Sequence, residues 1–312
     1  MFIFPPGYHF SQKFRTTMYI FIFLLTLYGR GCNSQCQDPC HCEQQGVNFR
    51  MTCTDRYLED VPKDLPCHVG VLNLRRNFIA ALYRESFPCQ YRLRELLLSN
   101  NQLHYIEKRV LDDAGELMLI ELHSNFLQSI PYLGSLPIIL QISVMRNSLA
   151  EWNNQTLQNT SHLTEVELAY NKLTNLPKIM FKLSILNLKG NAINDLHTTM
   201  LAYPNAISHL NINNNNIEYV DRLQTMKNLK ILMLEYNYIR HIRDDVFFSV
   251  PFLEIIKLRR NNIVDVSSFC NMMYIKHIYL EENNIKVVKR PAFTNIPNIK
   301  TINLKGNEIH RH

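Results

Sequence analysis

The residues with most chemistry to offer in this 312-residue chain are its eight cysteines, its twelve histidines and two Asn-x-Ser/Thr acceptor sequons. Cys36, Cys40, Cys42 and Cys53 follow one another at short spacing. Such a group either closes disulfides or binds a metal. Zinc sites take four ligands, usually in two pairs, and no second pair follows Cys40-His41-Cys42 at a suitable interval, so no metal is expected. Four cysteines allow three disulfide pairings, and spacing alone does not choose among them. Cys67 and Cys89 lie 22 residues apart, and Cys270 stands far from the rest. Asn154-Gln155-Thr156 and Asn159-Thr160-Ser161 are the sequons, so Asn154 and Asn159 are glycan sites if the chain is exported. His123, His209 and His277 have no Cys, Ser or carboxylate at a spacing that defines a triad or metal site. The nine glycines form no GxGxxG, GxxxxGK[ST] or GxSxG motif. An enzyme is therefore not expected, and neither is a cofactor.

Export is expected. Lys13 and Arg15 precede an apolar run, Met18–Tyr28, which is the order of a secretory signal peptide assigned here to residues 1–34. The run is shorter than the roughly 20 residues that cross a bilayer, so no membrane span is expected. Cleavage after Ser34 leaves Cys270 as an odd thiol, expected to be buried and inert. It also removes three bases, leaving 30 against 27 acids, with no block of five or six like charges. A nucleic-acid partner is not expected from that distribution.

The elements that position these groups come from a repeat. LxxLxLxxNxL recurs with its asparagine at 77, 101, 125, 147, 171, 191, 215, 237, 261, 283 and 307, at intervals of 20 to 24 residues. That period belongs to leucine-rich repeats. In Val166-Glu167-Leu168-Ala169, alternate side chains point inward and outward, so each unit supplies one short strand. Stacked in parallel at ~4.8 Å, the strands line the inner face of an α/β solenoid about 50 Å long. Each Asn amide, with donors and an acceptor, is expected to pair with backbone groups of neighbouring coils. A second apolar spine, ten residues after the Asn, comprises Phe87, Leu111, Leu157, Phe181, Leu201, Phe247 and Phe293. Cys67 and Cys89 are one repeat apart, which puts them on adjacent coils within disulfide reach.

The run CQDPCHCEQQGVNFRMTC, followed by LEDVPKDLP and the first LxL, resembles the amino-terminal cysteine cap of extracellular leucine-rich repeat proteins. Small leucine-rich proteoglycans are the relatives it is most similar to, with Toll-like receptor ectodomains sharing the architecture. The resemblance covers roughly residues 36–312. It implies the pairs Cys36–Cys42 and Cys40–Cys53, a cap over residues 35–67, and a solenoid of eleven units over 68–312. Two proteoglycan features are absent, a Ser-Gly dipeptide and the paired cysteines of a carboxy-terminal cap. Either a partner, such as a second copy in a homodimer, is expected to cover the last coil, or the chain is a piece of a longer receptor.

Outward positions six, four and two residues before each ladder Asn form a mixed surface. Acids gather in the third to fifth units, and Lys257, Arg259 and Arg260 make a basic step in the ninth. Such a surface suits an extracellular protein ligand of complementary charge. Glu165, Glu167, Glu235, Tyr236, Arg259 and Tyr279 are the expected contacts, since hot spots favour aromatic residues and Arg. The function expected is a secreted or cell-surface protein-binding module, with a structural matrix component or a receptor ectodomain as alternatives.

Overall fold

A computed structural model describes residues 38–45, 48–152, 156, 160, 162–177, 182–196, 203–220, 223, 226–267 and 269–310. The signal segment, Cys36 and the sequon asparagines Asn154 and Asn159 lie outside the described residues, as do Leu157, Phe181 and Leu201 of the second spine. One 13-stranded sheet runs the length of the molecule. It begins with an antiparallel hairpin, His41–Gln45 against Asn48–Thr52, and continues as eleven parallel strands from Val69–Asn73 to Thr301–Asn303. From Glu95–Leu97 onward each strand is three residues long, with its central residue facing the core and its flanking residues facing out. Hydrophobic alternation therefore fixes the register, because a slip of one residue would turn every central Leu, Ile or Val to water. The opposite side carries little helix: the described residues there form two-stranded parallel pairs and 3-10 turns, including Arg84–Ser86 and Val246–Ser249.

The recurring asparagine closes each coil onto the one before. Asn171 is typical. Its Nδ2 donates to the carbonyls of Val144 on the preceding coil (3.0 Å) and Leu168 on its own (3.1 Å), while its Oδ1 accepts from the Leu149 N–H at 3.0 Å. All eleven asparagines bond in this way, from Asn77, which reaches the Cys53 carbonyl in the cap, to Asn307 on Leu280. A carbonyl such as that of Leu98 accepts from two asparagines at once, Asn101 and Asn125, using both lone pairs. This accounting is obligatory, since nine of the eleven asparagines are buried and water does not reach the groups they serve.

Pulling the Asn amide inward requires a sharp backbone reversal just before it. Every residue that precedes a ladder Asn has positive φ, from Arg76 at 54° to Gly306 at 74°. Nine of these residues are not glycine, and each costs on the order of 1 kcal/mol relative to a right-handed conformation. At Gly190 (φ 69°) a Cβ would lie 2.6 Å from the ring carbon Cδ1 of Tyr170, so the small residue is required both by its own backbone and by its neighbour's ring.

Cys40–Cys53 and Cys67–Cys89 are bonded, with Cα separations of 4.4 and 5.0 Å. The first closes the hairpin that covers the end of the apolar core, and the second joins the first coil to the second. Cys42 is also disulfide-bonded. Cys270 is half-buried, not fully buried as expected, because it falls in the turn just after the core residue Phe269. Phe269 itself corrects the second spine: it sits eight residues after its Asn in a shorter repeat, yet it stacks between Phe247 (5.2 Å) and Phe293 (5.9 Å).

Asn171→Ala leaves the buried Leu149 N–H without a partner and removes one of the two asparagine bonds to each of the Val144 and Leu168 carbonyls, which keep Asn147 and Asn191, and the expected loss is about 2 kcal/mol in denaturant unfolding. Asn171→Asp is expected to lose a similar amount, because its oxygens cannot donate to two carbonyls. The exposed Asn175→Ala serves as the control and should stay within about 0.5 kcal/mol of the parent. Gly190→Ala is expected to cost about 1–2 kcal/mol from backbone strain, with a smaller cost in a Tyr170→Ala background, where the obstructing ring is gone.

Candidate protein-binding face

Cross-strand register assembles the outward side chains into rows. Gln141, Glu165 and Ile185 stand side by side, and Ser143, Glu167 and Asn187 form the next row. Further along, Asn211, Met233 and Lys257 continue the second row to Tyr279 and Asn303. The expected contact residues do stand on this face or on its rim, but the structure distributes their charge differently from a simple reading of the rows.

Glu121, one of the acids of the middle units, is taken up internally. Arg75, two coils away, grips it with both a 3.0 Å bond from Nε and a 2.7 Å bond from a terminal nitrogen, and His123 Nε2 stands 3.7 Å from it. Glu235 accepts from the Asn213 side chain at 2.9 Å and returns a backbone N–H to Asn213 Oδ1 at 2.7 Å. The expected basic step is partly offset: Glu282 binds both Arg259 and Arg260. Those two guanidiniums, Arg260 foremost, hold the Glu282 carboxyl below the usual carboxylate range. Of the step, Lys257 remains without an ion pair among the described residues.

Glu165 and Glu167 differ from Glu121, Glu235 and Glu282. Neither has an ion-pair or side-chain hydrogen-bond partner among the described residues, and both are half-buried. The cations nearest in sequence register are turned elsewhere: Arg146 and Lys189 lie over the Tyr170 ring, 5.7 and 5.6 Å from its centroid. Burial, and then repulsion from Glu167, raises the Glu165 carboxyl above its ordinary value. In the adjoining row the Ser143 side chain is 3% exposed, and its hydroxyl has no hydrogen-bond partner.

The aromatic contacts are of two kinds. Tyr279 is half-buried, with the His277 ring stacked 6.1 Å away. Tyr236 stands on the rim, because it occupies the positive-φ position before Asn237, where Arg260 lies 5.2 Å over its ring. Tyr170 and Glu282 occupy the same position in their own units and were not among the expected contacts. The signal that finds them is simply adjacency to the ladder Asn.

The three histidines of this face remain apart, in three different coils. His209 Nδ1 is 2.8 Å from the Ser208 hydroxyl, which itself donates to the Ser184 carbonyl at 3.0 Å. Among the described residues no group of three or more His, Cys, Asp or Glu side chains is placed to hold a metal, and no helix is long and apolar enough to cross a membrane.

Comparison with known proteins agrees with this architecture. A leucine rich repeat family model matches residues 161–217 and 227–285. Osteomodulin of Rattus norvegicus is 28% identical over 227 residues, covering 70% of this chain and 51% of that protein, so the chain spans about half the length of this relative. The leucine-rich repeat-containing G-protein coupled receptor 5 of Xenopus tropicalis is 36% identical over 93 residues, 30% of this chain and 10% of the receptor. In three dimensions the chain is similar to a component of the LRIM1/APL1C complex, with a TM-score of 0.68 at 22% identity over 80% of this chain and 47% of that one.

Glu165→Gln is expected to stabilise the fold at neutral pH. A carboxyl whose folded pKa is raised favours folding only below its unfolded value near 4.5, and that contribution is lost as pH rises through the folded value. Parent and variant should therefore unfold alike below about pH 4 and separate above it, with the variant the more stable. Denaturant midpoints at pH 3.5 and pH 7 check this; a difference that is largest in acid would contradict it.

Proposed function

We propose that this chain, a leucine-rich repeat protein with a disulfide-bonded amino-terminal cap, is an exported recognition module that holds a protein ligand against its parallel sheet. The observation that carries the reading is the open sheet face, on which Glu165 and Glu167 keep unspent charge beside apolar Ile185, with Ile231 and Met233 three strands further along. An interface core of this kind combines apolar area with a few unpaired polar anchors.

Rigidity supports the same reading. Eleven coils locked by the asparagine ladder present these side chains with little freedom left to lose on binding. The bonded cysteines fit an oxidising compartment, which is why export is part of the proposal. Glu165, Glu167, Tyr236 and Tyr279 are the proposed contacts. Glu235 and Arg259 stand on the same face but are held by Asn213 and Glu282, so their substitution should matter less. No catalytic role is proposed, and nucleic acid does not suit a face with two free acids at its middle. Carbohydrate on Asn154 and Asn159, between the fourth and fifth strands, is part of the proposal, as is pairing with a second copy.

The test is a binding screen of the purified chain against a library of extracellular protein domains. Met233→Arg is expected to weaken any specific ligand at least 100-fold, while Tyr203→Arg, an exposed change outside the main sheet, leaves it unchanged. Ligands that tolerate Met233→Arg but are lost with Tyr203→Arg would move the binding surface to another side of the solenoid.

A further inference from the structure

The two free acids stand together on one strand. Along a strand Glu165 and Glu167 project from the same side, roughly 7 Å apart, and the Ser143 hydroxyl sits one strand away from Glu167, at about 4.8 Å backbone spacing. A seryl oxygen at 3% exposure with no partner is an unmet acceptor and donor at the base of the acidic pair. Leaving such groups unpaired costs stability, and the chain does have cations at hand that could have satisfied them. Arg146 and Lys189 flank the position from the neighbouring coils, yet both are engaged with Tyr170, whose ring is fixed in place over Gly190. Two other acids are taken up by the molecule's own cations, Glu121 by Arg75 and Glu282 by two arginines, whereas Glu95 stands unpaired without a second acid on its strand.

We propose that Glu165, Glu167 and the Ser143 hydroxyl form a subsite for one guanidinium group, an arginine side chain carried by the protein ligand. The subsite rests on the sheet-face reading of function above and names the chemistry of the ligand at its centre. A planar guanidinium with five N–H donors in a fork can bond two carboxylates and the hydroxyl oxygen together, where an ammonium, with its compact charge, reaches fewer acceptors in fixed directions. Calcium fits poorly, since it needs six to eight oxygen ligands and the site offers two carboxylates and one hydroxyl. The raised Glu165 carboxyl agrees with a site whose counter-charge comes from outside.

A displayed library of random peptides panned against the full chain at pH 7 provides the probe. Each recovered peptide is remade with its arginines replaced by citrulline, and its affinity is measured on the parent, on Glu165→Gln/Glu167→Gln, on Glu235→Gln and on Met233→Arg. The expected result is arginine-enriched peptides that weaken at least tenfold on citrulline replacement and on Glu165→Gln/Glu167→Gln, but not on Glu235→Gln. Ser143→Ala should weaken them by a smaller factor, and the citrulline forms should be insensitive to the double change. Peptides that are lost on Met233→Arg yet indifferent to citrulline and to Glu165→Gln/Glu167→Gln would overturn the subsite while leaving binding on this face intact. Peptides indifferent to all four variants would overturn both. Glutamine is nearly isosteric with glutamate at these half-buried positions, so folding is preserved and the outcome reads recognition alone.

Discussion

A buried side-chain amide must find partners for its donors and its acceptor, and in this molecule that single requirement, met eleven times, organises the rest. Because the Asn points inward, the residue before it has to reverse the chain with positive φ. Because the chain reverses there, the strand stops after three residues, and the next coil begins in register with the last. The same reversal throws the preceding side chain onto the rim of the sheet. Arg146, Tyr170, Tyr236, Arg260 and Glu282 thus form a column whose existence follows from the ladder and not from strand alternation.

That rim column governs the electrostatics of the face beside it. Tyr170 draws Arg146 and Lys189 away from Glu165 and Glu167, and Glu282 offsets one of the two arginine charges of the ninth unit. The net effect is a sheet whose formal charges are partly spent internally, with two unspent acids side by side on one strand and Glu95 and Lys257 left over singly among the described residues. Exposed ion pairs of this kind contribute little stability each, so their consequence lies in which charges are left over for a partner.

Much of this could be read from the chain before any coordinates. Eleven regularly spaced asparagines and the LxL alternation specify the parallel sheet, and one repeat length between Cys67 and Cys89 suffices to place them on facing coils. The outward orientation of Glu165 and Glu167 follows from the same alternation. Charge pairing was not legible, because Arg75 reaches Glu121 across 46 residues and two coils, a distance set by side-chain length and coil spacing together. Phe269 escaped because a shorter repeat brings a different offset to the same place in space, where it completes the stack with Phe247 and Phe293. Tyr170 and Glu282 escaped because a period-two reading has no slot for a residue whose direction is dictated by a left-handed backbone.

The Cys67–Cys89 link also shapes how the molecule would respond to being pulled. A stack in which each coil touches chiefly its neighbours opens under tension one coil at a time from an end, releasing slack as it goes. A covalent bridge between the first two coils, at a sequence separation of 22, keeps the segment between its cysteines out of that process, withholding about 70 Å of contour length. Cys40–Cys53 does the same for the hairpin. Load applied at the amino-terminal side therefore passes through the capped region as through a short fixed coupling, and extension begins in the unbridged coils beyond it.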